Sequence, residues 1–352
     1  MRRKAVYSRQ SHITKEAMQS IVFEQFGDPR EVLRVRDVPM AADPASGEVR
    51  VRMRMSPINP SDLMTVRGSY GRLPSLPATP GFEGVGVVEA SGGGLLAKLR
   101  GIRPGRRVAV LNGNGGNWAE YVTLSARHVV PVPDDLPDEQ VAAFFVNPAT
   151  AIVMTHRVLQ VTRGSWLLQT GAGSALGRMV IRLGKHLGFH TINVVRRKAL
   201  AAELKQLGAD EVLSSTEDKI AAAVAEITRG AMVPYALDCI GGPGVADVIQ
   251  CLAPQGRLLV YGTLSGEPVP LDTRSLMSGQ RAIEGFWLSE WVKNQGVLRM
   301  LGLFRQITSL MRAGVLTTPV AAVYSFDQLQ VAIEHVERQA RGGKILLKLD
   351  GA

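Results

Sequence analysis

The stretch SWLLQTGAGSALGRMVIRL, residues 165–183, runs an apolar strand into a glycine turn that opens a helix. Glycines let the backbone approach a pyrophosphate, and a helix N-terminus offers free amides and partial positive charge. Gly171, Gly173 and Gly177 read G-x-G-x-x-x-G, one residue longer than the commonest fingerprint. Their setting between strand and helix therefore carries the argument for dinucleotide binding. Which dinucleotide is decided at the end of the next strand, TINVVRRK, where a carboxylate would take a free ribose 2′-hydroxyl and arginine a 2′-phosphate. No carboxylate stands there. Arg196 and Arg197 match a phosphate bidentately, so the reading is NADPH, with a solvated charge run as the plain alternative.

A second candidate is Tyr70 in GSYGRLPSLP, residues 68–77. A phenol ionises near pH 10, so it holds a donatable proton at neutral pH. On its residues alone, a tyrosine beside glycines reads as a turn residue packing its ring. Metal chemistry finds no set of ligands. The six histidines, at 12, 128, 156, 186, 190 and 335, are scattered, and His186 and His190 straddle Gly188, where a helix should end. Cys239 and Cys251 form no CxxC pair and cannot build a disulfide framework, which suits a reducing compartment. Ser61 and Asp62 read first as a helix cap, with a proton relay as the alternative.

The elements that must position these groups divide the chain in two. From residue 19 to about 145, short β segments (IVFEQFG, EVRVRMRMS, GVGVVEA, RRVAVLNG, AEYVTL) are punctuated by Gly and Pro. The alternation in VRVRMRM sets Arg50, Arg52 and Arg54 on one wet strand face. Beyond Asn147, apolar strands alternate with helices: SWLLQT, RMVIRLGKHLG, HTINVV, ALAAELKQLGA, EVLSS, DKIAAAVAEITRG, YALDCIG, PGVADVIQCLAP and GRLLVYG. That alternation implies a parallel, doubly wound sheet. VLRMLGLFRQITSLMRAG, FDQLQVAIEHVERQ and GGKILLKL then look like a return to the first unit. The fold class is α/β. No internal repeat stands out.

With 352 residues, 45% hydrophobic and 20% charged, the composition is that of a globular chain of about two domains. No apolar run approaches the roughly 20 residues a bilayer requires. Of the net charge of +10, the first seventeen residues supply +4 through Arg2, Arg3, Lys4, Arg9 and Lys15 against Glu16. This leader lacks the apolar centre of a secretory signal. It reads as a frayed tail ahead of Met18, or as a mitochondrial presequence.

Taken together, NPSD at 59–62, GSYG, PGFEGVG at 80–86, VNPATA at 146–151, the glycine turn, TINVVR, LDCIGG, VYGTLS and GFWLSEW at 285–291 resemble the medium-chain dehydrogenase/reductase superfamily. Within it the chain is most similar to the zinc-free 2-enoyl thioester reductases of the mitochondrial trans-2-enoyl-CoA reductase type, over roughly residues 18–350. The resemblance implies a β-rich GroES-like catalytic domain at 18–147 and 289–352, after a tail at 1–17, and a Rossmann-type NADP-binding domain at 148–288. It also implies homodimers. Tyr70 falls on the family's catalytic tyrosine, while Phe82 and Trp287 would shape the acyl pocket. Asn147 and Thr150 would lie near the nicotinamide, and Gly171, Gly173, Ser174, Ala175, Leu176 and Gly177 near the pyrophosphate. Arg196, Arg197 and Lys198 would take the 2′-phosphate. Tyr261, Gly262, Thr263, Leu264, Phe286, Trp287, Leu288 and Lys344 would complete the cleft.

Zinc alcohol dehydrogenases of this superfamily carry a cysteine near the NPSD position and a histidine where this chain has Phe82. Asn59 and Phe82 remove both ligands, so the resemblance implies no metal. An enoyl thioester needs no such cation, because its conjugated carbonyl already makes the β carbon electrophilic. The expected function is NADPH-dependent reduction of trans-2-enoyl thioesters of CoA or a carrier protein. The alternatives are a zinc-free quinone or alkenal reductase, and a non-catalytic NADPH- or RNA-binding protein. Nucleic-acid binding is not expected, since no basic stripe is interleaved with aromatics. Neither is membrane binding, and the expected location is cytoplasmic, or the mitochondrial matrix if the leader is a presequence.

Overall fold

The computed structural model describes residues 17–338 and 342–350; the basic leader lies outside the described residues, and Ala17 opens the first strand. Seven strands come first: β1 (Ala17–Val22), β2 (Arg34–Pro39), β3 (Glu48–Pro57), β4 (Glu83–Ser91), β5 (Arg107–Leu111), β6 (Tyr121–Ser125) and β7 (Val129–Pro131). The strand β3 organises this unit through its alternation. Val49, Val51 and Met53 are fully buried, and the arginines face the other way. That face is laced with ion pairs rather than merely wet: Arg50 meets Glu89 and Asp43, and Arg54 meets Asp138 at 3.0 Å. On one edge β3 pairs antiparallel with β4, and on the other β6 takes its first half.

A six-stranded sheet follows, built from β8 (Trp166–Gln169), β9 (His190–Val195), β10 (Glu211–Ser214), β11 (Val233–Asp238), β12 (Leu252–Val260) and β13 (Ala282–Gly285). Its strands are all parallel, in the order β10-β9-β8-β11-β12-β13. The order reverses between β8 and β11. In such sheets the crevice beyond the strands' carboxyl ends at that reversal is where ligands bind. The chain then passes through the helix Val297–Arg312 to β14 (Val320–Tyr324) and β15 (Lys344–Lys348). Strand β15 pairs with the second half of β3, so the last strand does return to the first unit's sheet.

The helix Ala175–Leu187 buries Leu176, Met179, Val180 and Leu183 on one stripe and closes at Gly188, whose φ of 83° is left-handed. These residues join one buried cluster with Val85, Ala109 and Leu346 of the first unit and Phe304 and Ile307 of the long helix. The two sheets thus share a core, which fixes their strand ends against each other. Boundaries shift in places. The helix expected through Pro254 stops at Gln250, because Leu252 already pairs with Val233 in the sheet. No sequence pattern marks strands β2, β7, β13 and β14: β7 has three residues, and the other three are partly exposed.

Candidate active site

The site is built on the entry and exit of a short helix, Pro60–Val66. Proline suits a first helical position, and the cap before it is Asn59 rather than the expected Ser61. Asp62, the third residue of the helix, reaches back to accept the Asn59 N–H at 2.7 Å. Its other oxygen accepts the Phe82 N–H at 3.1 Å, tying the helix start to the foot of β4. After Arg67 the chain turns at Gly68 with φ of 75°, where a β carbon would press on Phe26 at 3.1 Å. This turn presents Tyr70.

The Tyr70 ring lies 5.5 Å from that of Phe82 and 5.0 Å from that of Trp287, edge-on at 87°. Trp287 donates its indole N–H to the Tyr70 hydroxyl oxygen at 2.8 Å. Indole only donates, so the phenol accepts and its own proton stays available to a third group. A side chain at residue 71 would collide with the indole, which explains the glycine there. Burial raises the Tyr70 pKa above its ordinary 10; the Trp287 bond works against that rise and the nearby Asp62 adds to it. Tyr70 is therefore protonated across the neutral range.

Under this pair lies a polar cluster that the sequence reading did not assemble. Glu83, buried at 1% exposure, accepts from Asn59 Nδ2 at 3.1 Å and from the Phe145 and Val146 amides, both at 2.9 Å. Those two amides begin the helix Val146–Ile152, which carries Asn147 and the buried Thr150. Lys344 donates to Asn59 Oδ1. Burial pushes both carboxyls up: Asp62 to about 7, with Glu83 adding to the rise and Lys344 opposing it, and Glu83 above its usual range, with Lys344 again opposing. Asn59 and Lys344 are 285 residues apart in the chain, so no local motif joins them: the resemblance names Lys344 for the cleft, without its partners.

The cofactor side forms separately. Ser174 caps the helix Ala175–Leu187 by accepting the Gly177 N–H at 3.1 Å. A β carbon at Gly171 would lie 2.6 Å from the Cys239 sulfur, and one at Gly173 2.8 Å from Leu200, so the turn is a cradle that side chains would fill. At Gly177 it would strike the Ala172 backbone at 2.6 Å. Together with the capped helix end, the turn fits a pyrophosphate. Arg196, Arg197 and Lys198 are exposed beyond β9, though Lys198 also faces Asp218 at 3.7 Å and Glu217 at 3.9 Å. Tyr261 and Phe286 are held at the ends of β12 and β13, their N–H groups donating at 2.8 Å to Asp238 and Val260 carbonyls. Gly262 sits against the Cys239 backbone, the Leu264 N–H donates to the Cys239 carbonyl at 3.2 Å, Thr263 is exposed between them, and Ala175 and the buried Leu176 open the helix after the turn. Leu288 begins the helix Leu288–Lys293 directly after Trp287. Lys344 belongs instead to the buried cluster. Among the described residues, no group of three or more His, Cys, Asp or Glu side chains gathers to hold a metal ion, and no helix is long and apolar enough to cross a membrane.

Comparison with known proteins agrees with this architecture. An alcohol dehydrogenase GroES-like domain profile matches residues 45–134, and a zinc-binding dehydrogenase profile matches residues 175–302. The mitochondrial enoyl-[acyl-carrier-protein] reductase of Rattus norvegicus is 34% identical over 335 residues, spanning 94% of this chain and 87% of its own. The Homo sapiens counterpart is 33% identical over 321 residues, spanning 90% and 85%. A Bacillus thuringiensis structure ascribed to the NADPH:quinone reductases superposes with a TM-score of 0.88 at 33% identity, over 94% of this chain and 99% of that one. The structure of the ETR1P/NADP/crotonyl-CoA complex superposes at 0.82 and 25% identity, over 94% and 99%.

Proposed function

The chain belongs to the enoyl-[acyl-carrier-protein] reductases of the medium-chain dehydrogenase/reductase superfamily, and from that membership we propose how its residues reduce a trans-2-enoyl thioester. The enzyme is an NADPH-dependent oxidoreductase acting on carbon–carbon double bonds. When bound, NADPH supplies the hydride that adds to the β carbon of the acyl chain. The Gly171–Gly177 turn and its capped helix hold the pyrophosphate, and Arg196 and Arg197 hold the 2′-phosphate. Asn147 and Thr150 flank the nicotinamide.

Tyr70 is the proton donor. The observation that carries this assignment is its bond to Trp287, in which the phenol oxygen accepts and its proton is left to give. As negative charge grows on the substrate, Tyr70 protonates the α carbon, and the Trp287 N–H stabilises the phenolate that remains. Phe82 and the Trp287 indole line the acyl pocket. We assign residues 148–288 to cofactor binding and 18–147 with 289–352 to the catalytic domain. Among the described residues β13 ends its sheet, an edge that offers a strand for homodimer pairing, and the acyl carrier is CoA or a carrier protein. Our reading of location stays cytoplasmic, with the mitochondrial matrix as the alternative that the names of the rat and human relatives favour.

The test is NADPH oxidation with crotonyl-CoA, longer enoyl-CoAs and a simple quinone, for wild type and Tyr70→Phe. The variant should lose on the order of 100-fold to 10,000-fold in kcat on enoyl substrates. Full enoyl activity in Tyr70→Phe would remove Tyr70 from the mechanism. The Bacillus structure's ascription favours a quinone as the second reading, and efficient turnover of quinone alone would establish it.

A further inference from the structure

Asp62, Glu83 and Lys344 are each at most 4% exposed, and Asn59 bridges them at 1%. Lys344 on β15 brings one positive charge; Asp62 on the short helix and Glu83 on β4 bring up to two negative ones. With both carboxyls ionised, a net negative charge would be buried in the cluster that backs the Phe82 wall of Tyr70, which is costly in a low-dielectric interior. Burial accordingly raises both carboxyls, and the charge of Glu83 adds to the rise at Asp62. Asp62 is the member electrostatically coupled to the Tyr70 phenol. It is also the member that holds the Phe82 amide, and so the wall against which the Tyr70 ring packs.

We propose that Asp62 is a positioning residue for the proton donor: through the Phe82 amide it sets the wall behind Tyr70, and through its charge, shared with Glu83 and Lys344, it sets how readily that phenol releases its proton. This rests on Tyr70 being the donor. While the cluster is neutral, a phenolate forming at Tyr70 meets no opposing charge. Once its last proton leaves, near pH 7 for Asp62, the carboxylate opposes the phenolate. The groups facing Asp62 are Glu83, Lys344 and Tyr70, together with the Asn59 and Phe82 amides, and among them only Lys344 favours the ionised carboxylate by its charge. Activity should therefore step down as pH rises through about 7 and persist at a lower plateau, instead of falling to zero.

The experiment compares wild type, Asp62→Asn and Glu83→Gln in two ways. Ultraviolet titration of the full chain reads Tyr70 ionisation as the difference from the matching Tyr70→Phe background, without any cofactor. The pH dependence of kcat on crotonyl-CoA reads the step. In Asp62→Asn Tyr70 should ionise at lower pH and the step near pH 7, roughly threefold to tenfold in wild type, should flatten; in Glu83→Gln, where Asp62 loses the neighbouring charge that raises it, the step should move to lower pH. An unchanged phenol titration together with a retained step in Asp62→Asn overturns the proposal. If Asp62→Asn does not fold, Glu83→Gln decides by the position of the step, and a step that stays near pH 7 in that variant overturns the proposal. Should Tyr70→Phe keep full enoyl activity, the donor assignment fails, while the phenol titration still reports whether the cluster acts on Tyr70.

Discussion

At the scale of single residues, the basic run after β9 and the Tyr70 loop illustrate two kinds of legibility. The proposal for Arg196 and Arg197 rests on local position: the end of a second strand, with no carboxylate among NVVRRK. Replacing Arg196 by alanine should weaken NADPH binding by about 1–3 kcal/mol and leave NADH nearly unchanged, as isothermal titration with each cofactor would measure. Equal losses for both cofactors would contradict the phosphate assignment. Tyr70 was readable as a candidate only, because a phenol among glycines has an ordinary reading as a turn residue. Its partnership with Trp287, 217 residues away, exists only in the folded chain.

Among the elements, the glycine turn separates two roles that its sequence pattern joins. Gly177 lies where helix Ala175–Leu187 crosses the Ala172 backbone, so an added methyl at 2.6 Å forces the helix away from the turn. Gly173 meets only the tip of Leu200, a side chain that can rotate aside. Gly177→Ala should therefore cost roughly 1–3 kcal/mol of stability in denaturant unfolding, whereas Gly173→Ala should leave stability nearly intact and weaken NADPH binding. A reversed order would mean that the turn's tight contact lies elsewhere. The element pattern was legible wherever apolar period and glycine agreed, as in the strand, turn and helix of residues 166–187. It failed at residues 252–254, where a helical reading continued into β12, whose first residue pairs with Val233 of β11 on the other side of the helix.

The whole molecule depends on what the shared core and the return of β15 bring together. Asp62 offers a test at this scale, since burial raises its folded pKa from 3.8 to about 7. A raised carboxyl contributes its stabilisation fully below its unfolded pKa and loses it as pH climbs through the folded value. Between pH 4 and 8, wild type should thus lose on the order of 4 kcal/mol relative to Asp62→Asn, a difference read from denaturant unfolding of both chains across that window. Parallel curves would show that the carboxyl is not buried as described. The division of labour between sequence and structure follows the range of the forces involved. By itself the sequence determined the β-rich and βαβ halves, the strand, glycine turn and helix of residues 166–187, and the choice of NADPH, because each rests on neighbours within a few turns or strands of the chain. Only the tertiary structure decided that Lys344 joins Asn59, Asp62 and Glu83 in one buried cluster, and that Trp287 binds the Tyr70 hydroxyl. Those contacts are bought by closing long stretches of chain, and no local pattern of residues records which distant side chain will arrive.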